Sequence, residues 1–484
     1  MSLIRFPASQ QAKEEFYRAL ISRCLIFAGA MLLLAGLAGI ADDGGDVLVG
    51  ILMGLITCVT GLLGSWWYVL PSSVPKRDVF VAAGLIWLVM IAVSAVFYVL
   101  SGAIGQLDSA IVESVAGFCT TGFSVLARPE DLSKTVLFWR AGTQWLGGLG
   151  AISFALLLIP MFKSGGDSGR VPLSASRFRK PNEETDFLAF LKIYCALSIV
   201  LIVAYAIAGM GIFDAVTHSG TTISTGGFTN YSTGFFESSA IQWVAICGMF
   251  LAGINGALLF KSLRGSPGSL WRSLEFKVYV GLVVAASGIC LIWADVASER
   301  LRQVLFSVTS AISTTGFRLV DWGEWSVGLQ MLLLLLIATG AMVGSASGGF
   351  QILRATEAAH YLAREVRGHT VSTTHTQSRH DFLGEEPLAK MQAFQFLYLA
   401  AVGLGAFALA CFGTDVVTSI SASVSSLATM GPALGDLSPA TDIWSLSRPE
   451  QAVFAVLMFV GRLFVYPVFI IFGTLAAKIR WLRR

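Results

Sequence analysis

The chain has 484 residues, of which 55% are hydrophobic and only 13% are charged, and its mean hydropathy is +0.72. A soluble globular domain usually carries about 25% charged residues, so the composition excludes an ordinary soluble enzyme or binding domain. The net charge is a modest +3. We expect the chain to lie in the lipid membrane and not to bind nucleic acid. The seven cysteines are scattered and form no C-x-x-C pair, which favours apolar filler over a disulfide framework or a metal site.

Ten apolar runs are each close to the ~20 residues that a helix needs to cross a bilayer core. In chain order they are 24–41, 49–71, 79–101, 135–162, 188–211, 241–260, 278–297, 327–343 with a continuation to about 353, 392–412 and 451–476. The residues before the first run are polar and basic, and the run is long enough to remain as a helix, so we expect no cleaved signal peptide. The sequence therefore predicts an all-α integral membrane protein with ten transmembrane helices.

Charge sets the expected orientation of these helices. The segments on the side of the termini hold 25 of the 33 Lys and Arg residues, and the opposite segments hold seven. The positive-inside rule then places both termini in the cytoplasm. Of the 30 acidic residues, 17 fall on the outer side, where they would concentrate cations.

Four short stretches repeat along the chain, each between two apolar runs and after a weaker apolar stretch too short to span. They read A-G-F-C-T-T-G-F-S at 116–124, T-T-I-S-T-G-G-F-T at 221–229, S-A-I-S-T-T-G-F-R at 310–318 and S-S-L-A-T-M-G-P-A at 425–433. One such motif is weak, but four copies on the same side indicate a fourfold internal repeat. Each repeat is predicted as a span, a short re-entrant helix, a Thr/Gly turn and a second span, with the first two helices outside the repeats.

The Thr/Gly composition of these turns has a physical reason. Non-helical backbone at membrane depth is tolerated only where it is buried in protein or lines a water-filled cavity. Glycine allows consecutive carbonyls to face one axis, and rings of carbonyl oxygens replace the hydration shell of an alkali cation. A short helix that ends at such a ring also directs its negative end toward the ion.

On these motifs the chain resembles the Trk/Ktr family of potassium-uptake membrane subunits, specifically its longer Trk-type branch. Further motifs resemble the helices that follow the four turns, namely W-R-A-G-T-Q-W-L-G-G-L-G at 139–150, F-L-A-G-I-N-G-A-L at 250–258, A-M-V-G-S-A-S-G-G-F at 341–350 and F-V-G-R-L-F at 459–464. Two positions depart from the family pattern: Thr429-Met430 stands where the family often has Asn-Thr, and Phe464 stands where an acid often follows Gly-Arg-Leu.

The resemblance implies one pore of fourfold pseudo-symmetry that selects potassium, the transported ion, by a ring of backbone carbonyls. By position, the potassium-binding filter would comprise Thr121, Gly122, Gly226, Gly227, Thr315, Gly316, Met430 and Gly431, supported by Thr120, Thr225, Thr314 and Thr429. The family also implies a homodimer and a cytoplasmic nucleotide-binding regulatory subunit of the TrkA type. No G-x-G-x-x-G unit of a nucleotide-binding fold occurs here, so NAD or ATP is expected only on that partner, and no covalent cofactor on this chain.

The predicted organisation is an N-terminal two-helix extension at 1–78, followed by pore repeat 1 at 79–163 and pore repeat 2 at 164–264. Pore repeat 3 covers 265–362, and a cytoplasmic segment with pore repeat 4 covers 363–484. The expected location is the bacterial inner membrane.

Three features are candidates for a gate. Arg462 lies within an apolar run, where a charge costs at least ~2.5 kcal/mol; it either locks two helices through an ion pair or carbonyl contact, or it forms a positive barrier below the filter. The small residues Gly344, Ser345, Ala346, Ser347, Gly348 and Gly349 form either a close helix crossing or a broken helix that obstructs the pore. Asn255 either lines the pore or hydrogen-bonds between helices.

Two transport mechanisms remain open from the sequence, and an enzyme is excluded because no nucleophile–base pair, metal-ligand set or phosphate loop is present. A channel needs only the membrane potential, which is worth ~2.3 kcal/mol per charge per 100 mV. A potassium/proton or potassium/sodium symporter would favour carboxylates within the spans, and Glu113 is one of few.

Overall fold

The computed structural model describes residues 8–40, 46–68, 70–71, 73–163, 170–172, 187–232, 234–293, 300–370, 385–437, 443–463 and 468. Residues 371–384 of the cytoplasmic stretch predicted at 354–391 lie outside the described residues, as does Phe464. In the described part the chain is almost entirely helical. The helices are α1 Ala8–Ala38, α2 Asp46–Trp67, α3 Lys76–Leu100, α4 Leu107–Phe118, α5 Lys134–Lys163, α6 Phe187–Ile207, α7 Ile212–Ile223, α8 Ser239–Ala252, α9 Gly256–Leu263, α10 Gly268–Arg272, α11 Leu274–Trp293, α12 Arg300–Ile312, α13 Val327–Thr339, α14 Ile352–Thr370, α15 Glu385–Cys411, α16 Val416–Leu427 and α17 Arg448–Arg462.

Five helices of the described part are long and apolar enough to cross a membrane, or six if one bent pair is a single span. Their apolar segments are Lys13–Ala38, Asp46–Trp67, Arg77–Leu100, Leu274–Trp293 and Gln392–Cys411, and the bent pair is α8 with α9. Many large apolar side chains on these helices are exposed, as expected for surfaces that face lipid rather than water. The fold is that of an all-helical membrane protein.

The structure differs from the prediction in the run 241–260, which is not one straight helix. The chain bends by 103° between α8 and α9, and the break falls at Gly253–Asn255. The Asn255 side chain accepts a hydrogen bond from the backbone N–H of Leu258 and so caps α9. An N-cap starts a new helix, and hydropathy alone does not register it because the flanking residues stay apolar.

Three further differences concern the elements themselves. A short antiparallel ladder joins Ser73–Pro75 to Arg170–Pro172, so the all-α prediction misses one two-stranded sheet. The first helix begins at Ala8, well before the apolar run predicted from residue 24, because helical periodicity continues through its polar first turns. α13 covers only 13 residues of the run predicted to extend from 327 toward 353.

Four short helices, α4, α7, α12 and α16, of 12 or 13 residues each, stand where the sequence predicts the re-entrant helices. Each lies between two other α-helices and is followed by a non-helical turn. The C-terminal parts of these helices are buried. In α16, for example, every residue from Thr418 to Ser426 is buried except Ile420. Because 12 residues rise only ~18 Å, such helices cannot cross a bilayer core and must end within the protein.

Candidate functional site

The four short helices end in the same unusual way. We name the following segments T-x-G turns 1 to 4: Thr120–Gly122, Thr225–Gly227, Thr314–Gly316 and Thr429–Gly431. The leading threonines have φ values of 50°, 52°, 56° and 55°, which is the left-handed region. A β-branched residue there is a genuine outlier, and such strain concentrates at functional sites because the surroundings must hold it in place.

The same pair of backbone hydrogen bonds holds each threonine in this conformation. The N–H of the residue after it donates to a carbonyl five residues back, at 2.8 Å from Thr121 to Ala116 and 3.0 Å from Met430 to Ser425. The threonine N–H donates three residues back, at 3.0 Å from Thr120 to Gly117. Together these bonds form a Schellman motif, whose left-handed position is usually glycine. The motif leaves the next carbonyls free of the helix.

All four T-x-G turns meet around one point. The N–H of Gly122 donates to the carbonyl of Met430 at 2.8 Å, which joins turn 1 to turn 4. A Cβ atom on Gly227 would overlap the Thr315 carbonyl, and one on Gly316 would overlap the Met430 carbonyl. A Cβ on Gly122 would lie 3.6 Å from the Gly226 oxygen. Each turn therefore contacts the next in the order 1, 2, 3, 4, and the ring closes.

The turns present backbone oxygens to one another at this point. The oxygens of Met430, Gly316 and Gly226 all lie within 3.6 Å of the position of a Cβ on Gly122. The C-terminal ends of α4, α7, α12 and α16, each carrying a partial negative charge, lie next to these oxygens. The side chain of Met430 is buried, and its carbonyl takes part in the ring. Turn 4 therefore still contributes a backbone oxygen, although Thr429-Met430 departs from the family pattern. All eight predicted filter residues are brought together; that they bind potassium stays a prediction.

Behind turns 1 and 2 lies a buried ion pair. The guanidinium of Arg140 on α5 is 2.7 Å from the carboxylate of Glu113 on α4, and both side chains are at most 4% exposed. The Ser124 hydroxyl donates to Glu113 at 3.0 Å, and the Val125 N–H donates at 2.9 Å. Arg140 also donates to the Thr229 carbonyl at 2.8 Å, so the pair ties the segment after turn 1 to the segment after turn 2.

Gln144, one helical turn along α5 from Arg140, contacts the T-x-G turns themselves. Its amide donates to the Gly226 carbonyl at 2.7 Å and to the Thr121 carbonyl at 3.3 Å, and its oxygen accepts from the Phe228 N–H at 3.2 Å. Sequence analysis quoted this residue within a motif but assigned it no role. The available signal was the i, i+4 spacing of two polar residues on an otherwise apolar helix, which puts both on one face.

We expect Glu113→Gln to destabilise the protein markedly, because Arg140 would keep its buried charge without a partner. Breaking a buried pair by removing one member costs about 3–5 kcal/mol. The measurement is the thermal unfolding midpoint of the purified protein in detergent. The matched control is Asp108→Asn, which breaks an ion pair with Arg448 whose side chains are 46% and 64% exposed and should shift the midpoint far less. Equal midpoints for both variants would contradict the structural role of the pair.

The six small residues predicted for the gate lie in a loop that contacts turns 3 and 4. α13 ends at Thr339 and α14 begins at Ile352, so the segment 340–351 breaks the run; we name it the 340–351 loop. Asn255 donates to the Val343 carbonyl at 2.5 Å, and the Glu275 carboxylate accepts from the Val343 N–H at 2.7 Å. Asn255 therefore caps α9 and anchors the loop. Its hydrogen bond to Val343 joins a helix to the loop, whereas the sequence had suggested a bond between two helices.

Arg462 contacts the same loop from α17. Its guanidinium donates to the Ala346 carbonyl at 2.9 Å and to the Gly147 carbonyl of α5 at 3.2 Å. The residue is 3% exposed, and no carboxylate of the described residues pairs with it in an ion pair. The carbonyl contact that was one of its two predicted roles is present. These contacts hold a positive charge against the loop.

Outside the spans, Glu130 joins the segments that follow turns 1 and 2. Its carboxylate accepts hydrogen bonds from the Ser232 N–H at 2.9 Å and the Ser232 hydroxyl at 2.5 Å. Partial burial raises the pKa of Glu130, but these bonds and the charge of Arg128 outweigh burial and hold the pKa below its usual value. Glu130 thus keeps its negative charge at neutral pH.

Comparisons with known proteins agree with one another. The chain is 29% identical over 414 residues to the Trk system potassium uptake protein TrkI of Halomonas elongata, covering 83% of this chain and 84% of that protein. It is 28% identical over 472 residues to the Trk system potassium uptake protein TrkH of Escherichia coli, covering 93% and 96%. The fold matches the crystal structure of the potassium transporter TrkH from Vibrio parahaemolyticus with a TM-score of 0.82, at 24% identity, covering 94% and 98%. The family model described as TrkH, cation transport protein, matches residues 75–283 and 290–478. This chain therefore belongs to the TrkH family of cation transport proteins, a family of transporters and not of enzymes.

Proposed function

We propose that this chain takes up potassium through a filter formed by the four T-x-G turns. The observation that carries the proposal is the ring itself, in which each turn contacts the next and the oxygens of Met430, Gly316 and Gly226 lie within 3.6 Å of one point, the position of a Cβ on Gly122. Backbone carbonyls suit a monovalent cation because they replace its water ligands without adding a full charge. The curated relatives are named for potassium uptake, which supports potassium as the substrate.

Four converging helix ends add to the selectivity for cations over anions. Each C-terminus contributes a partial negative charge of up to about half an electron, and the ionised Glu130 lies at the outer rim. An inside-negative potential then drives uptake with ~2.3 kcal/mol per ion per 100 mV. No chemical energy source on this chain is needed for that flux.

The proposed architecture has ten spans around this ring, with α8 and α9 together forming one of them. Two N-terminal helices precede four repeats, whose boundaries stay as predicted at 79–163, 164–264, 265–362 and 363–484. Both termini are proposed to be cytoplasmic in the bacterial inner membrane, on the strength of the Lys and Arg distribution. A homodimer and a separate nucleotide-binding subunit that opens the pore are proposed from the family resemblance.

The 340–351 loop and Arg462 are proposed as the gate. The loop lies directly under turns 3 and 4, where a Cβ on Gly348 would overlap the Ala428 carbonyl. Arg462 adds a positive charge that repels a cation leaving the filter. In this arrangement the loop must move for an ion to pass, and the regulatory subunit would supply the free energy for that movement.

A potassium/proton or potassium/sodium symporter is the second candidate. Coupling usually uses a carboxylate that can gain and lose a proton or a second ion. The carboxylate of Glu113 is already engaged by Arg140, Ser124 and the Val125 N–H. This arrangement favours a structural role for Glu113 and a channel-like mechanism for the chain.

The test is ion flux in liposomes that contain the purified protein alone. We expect flux that follows the membrane potential, prefers potassium to sodium and does not require a proton gradient, low in the wild type and higher in Arg462→Gln. Arg462→Gln is measured beside the wild type because the proposed gate opposes flux without a partner. Flux that requires a proton or sodium gradient would support the symporter. The absence of potassium flux in both proteins would refute the proposed function.

A further inference from the structure

The four equivalent threonines differ in what their hydroxyl groups contact. The Thr225 hydroxyl donates to the adjacent Ser224 carbonyl at 2.7 Å. Those of Thr120 and Thr429 are buried and have no hydrogen-bond partner among the described residues. In the part of the chain that the structure describes, only the Thr314 hydroxyl hydrogen-bonds to the 340–351 loop, at 3.1 Å from the Ser347 hydroxyl and 2.9 Å from the Gly348 nitrogen. The other three threonine hydroxyls make no such bond.

The loop side of this contact is rigid. The Ser347 hydroxyl accepts a hydrogen bond from the Ala341 N–H at 3.0 Å, which closes the loop on itself. Gly348 lies so close to turn 4 that a Cβ on it would overlap both the Ala428 carbonyl and the Thr429 hydroxyl. The loop therefore sits between turns 3 and 4, with one hydrogen-bonded contact and one steric contact.

Thr314 is equally constrained. Its backbone is in the left-handed region at φ 56°, and the N–H of Thr315 holds it by donating to the Ser310 carbonyl at 3.0 Å. A β-branched side chain has few χ1 rotamers, so the hydroxyl cannot follow a loop that moves away. Withdrawal of the loop must break both contacts and leave the buried Gly348 N–H without a partner until water enters, which opposes the movement.

We propose that the Thr314 hydroxyl is a latch that holds the 340–351 loop against the filter in the closed protein, and that Thr314 is a positioning residue for the gate. This inference rests on the proposed function, because it assumes that the loop obstructs the pore. Under this proposal turn 3 holds the gate loop, and the other three turns do not. The Thr314 side chain then links the position of the loop to the geometry of the filter.

The experiment compares Thr314→Val, which keeps the β-branched shape and removes the hydroxyl, with Thr314→Ser, which keeps the hydroxyl. The matched control is Thr309→Val on the same short helix; Thr309 is equally buried, and its hydroxyl bonds only the Leu305 carbonyl of its own helix. Potassium flux is measured in liposomes without a regulatory subunit. We expect Thr314→Val to raise the flux about fivefold, the effect of losing one net hydrogen bond. Thr309→Val should remain within about twofold of the wild type, and Thr314→Ser, which keeps the hydroxyl, should raise the flux less than Thr314→Val does.

A second variant tests the same contact from the side of the loop. Gly348→Ala should push the loop away from turn 4 and also raise the flux. The latch is overturned if neither variant exceeds Thr309→Val while Arg462→Gln conducts potassium. It is also overturned if Thr314→Val folds but abolishes conduction in the Arg462→Gln background, because the hydroxyl would then serve the ion. If Arg462→Gln itself conducts nothing, the proposed function fails, and the latch fails with it.

Discussion

Replacement of Gly227 with alanine is expected to abolish potassium flux. Gly227 has φ +80°, and a Cβ placed on it would overlap the Thr315 carbonyl oxygen, with the Gly316 carbonyl carbon 3.2 Å away. The obstructing atoms are backbone, so no side-chain rotation relieves the clash. Left-handed backbone costs a non-glycine residue about 1–2 kcal/mol, and displacement of a filter carbonyl by even ~1 Å destroys its geometry for an ion. Flux in liposomes measures the loss.

The matched control separates backbone strain from the filter clash. Gly209 has φ +99° and lies just before α7 in the same part of the chain, yet a Cβ on it would have no neighbour within 4 Å. Gly209→Ala therefore carries the same strain without touching the filter, and it should conduct. Gly227→Arg should be inactive as well, because its long side chain adds an obstruction. Wild-type flux through Gly227→Ala would refute the assignment of turn 2 to the filter.

Replacement of Arg462 with glutamine is expected to have the second large effect, an increase in flux without the regulatory subunit. Two changes act together: the loop loses the hydrogen bond to Ala346, and the ion path loses a positive charge. A unit charge ~8 Å from the path contributes about 2 kcal/mol at an effective dielectric constant of ~20. The barrier reduction corresponds to roughly thirtyfold in rate. Potassium flux from liposomes held at a fixed potential measures it.

Two variants distinguish the charge from the contact. Arg462→Lys keeps the charge but loses the two-pronged donor geometry of the guanidinium, so its flux should rise much less than that of Arg462→Gln. Arg264→Gln removes a charge from an exposed position, where Arg264 stacks on Phe260, and should leave flux near the wild-type level. If Arg462→Gln and the wild type conduct equally, Arg462 serves only to hold the structure together and is not an electrostatic barrier to the ion.

Much of the candidate site could be predicted from the sequence, because its key requirements are local. A short helix that ends in a left-handed residue and then a glycine is set by about six consecutive residues, as in Thr315 and Ser310. Four copies of such a motif made the repeat visible without an alignment. The broken helix near Gly344 was also accessible, since a run of small residues cannot continue an apolar span.

The misses are of a different kind. Arg140 was counted among the charges of an outer segment, whereas it is buried in α5 and paired with Glu113. Gln144 received no role, although it bridges turns 1 and 2. The bend after Ala252 was read as a straight span. In each case the deciding contact or break depends on residues that hydropathy treats as minor exceptions within an apolar run.

The sequence by itself determined that this is a polytopic helical membrane protein with four T-x-G turns. Hydropathy, charge bias and turn chemistry act over a few neighbouring residues and are therefore legible along the chain. Only the tertiary structure decided which turn touches which and what Arg462 holds. Its two carbonyl partners lie 116 and 315 residues away in the chain. Such contacts arise because the buried polar groups of separate repeats must find partners in one another, and no local pattern records that choice.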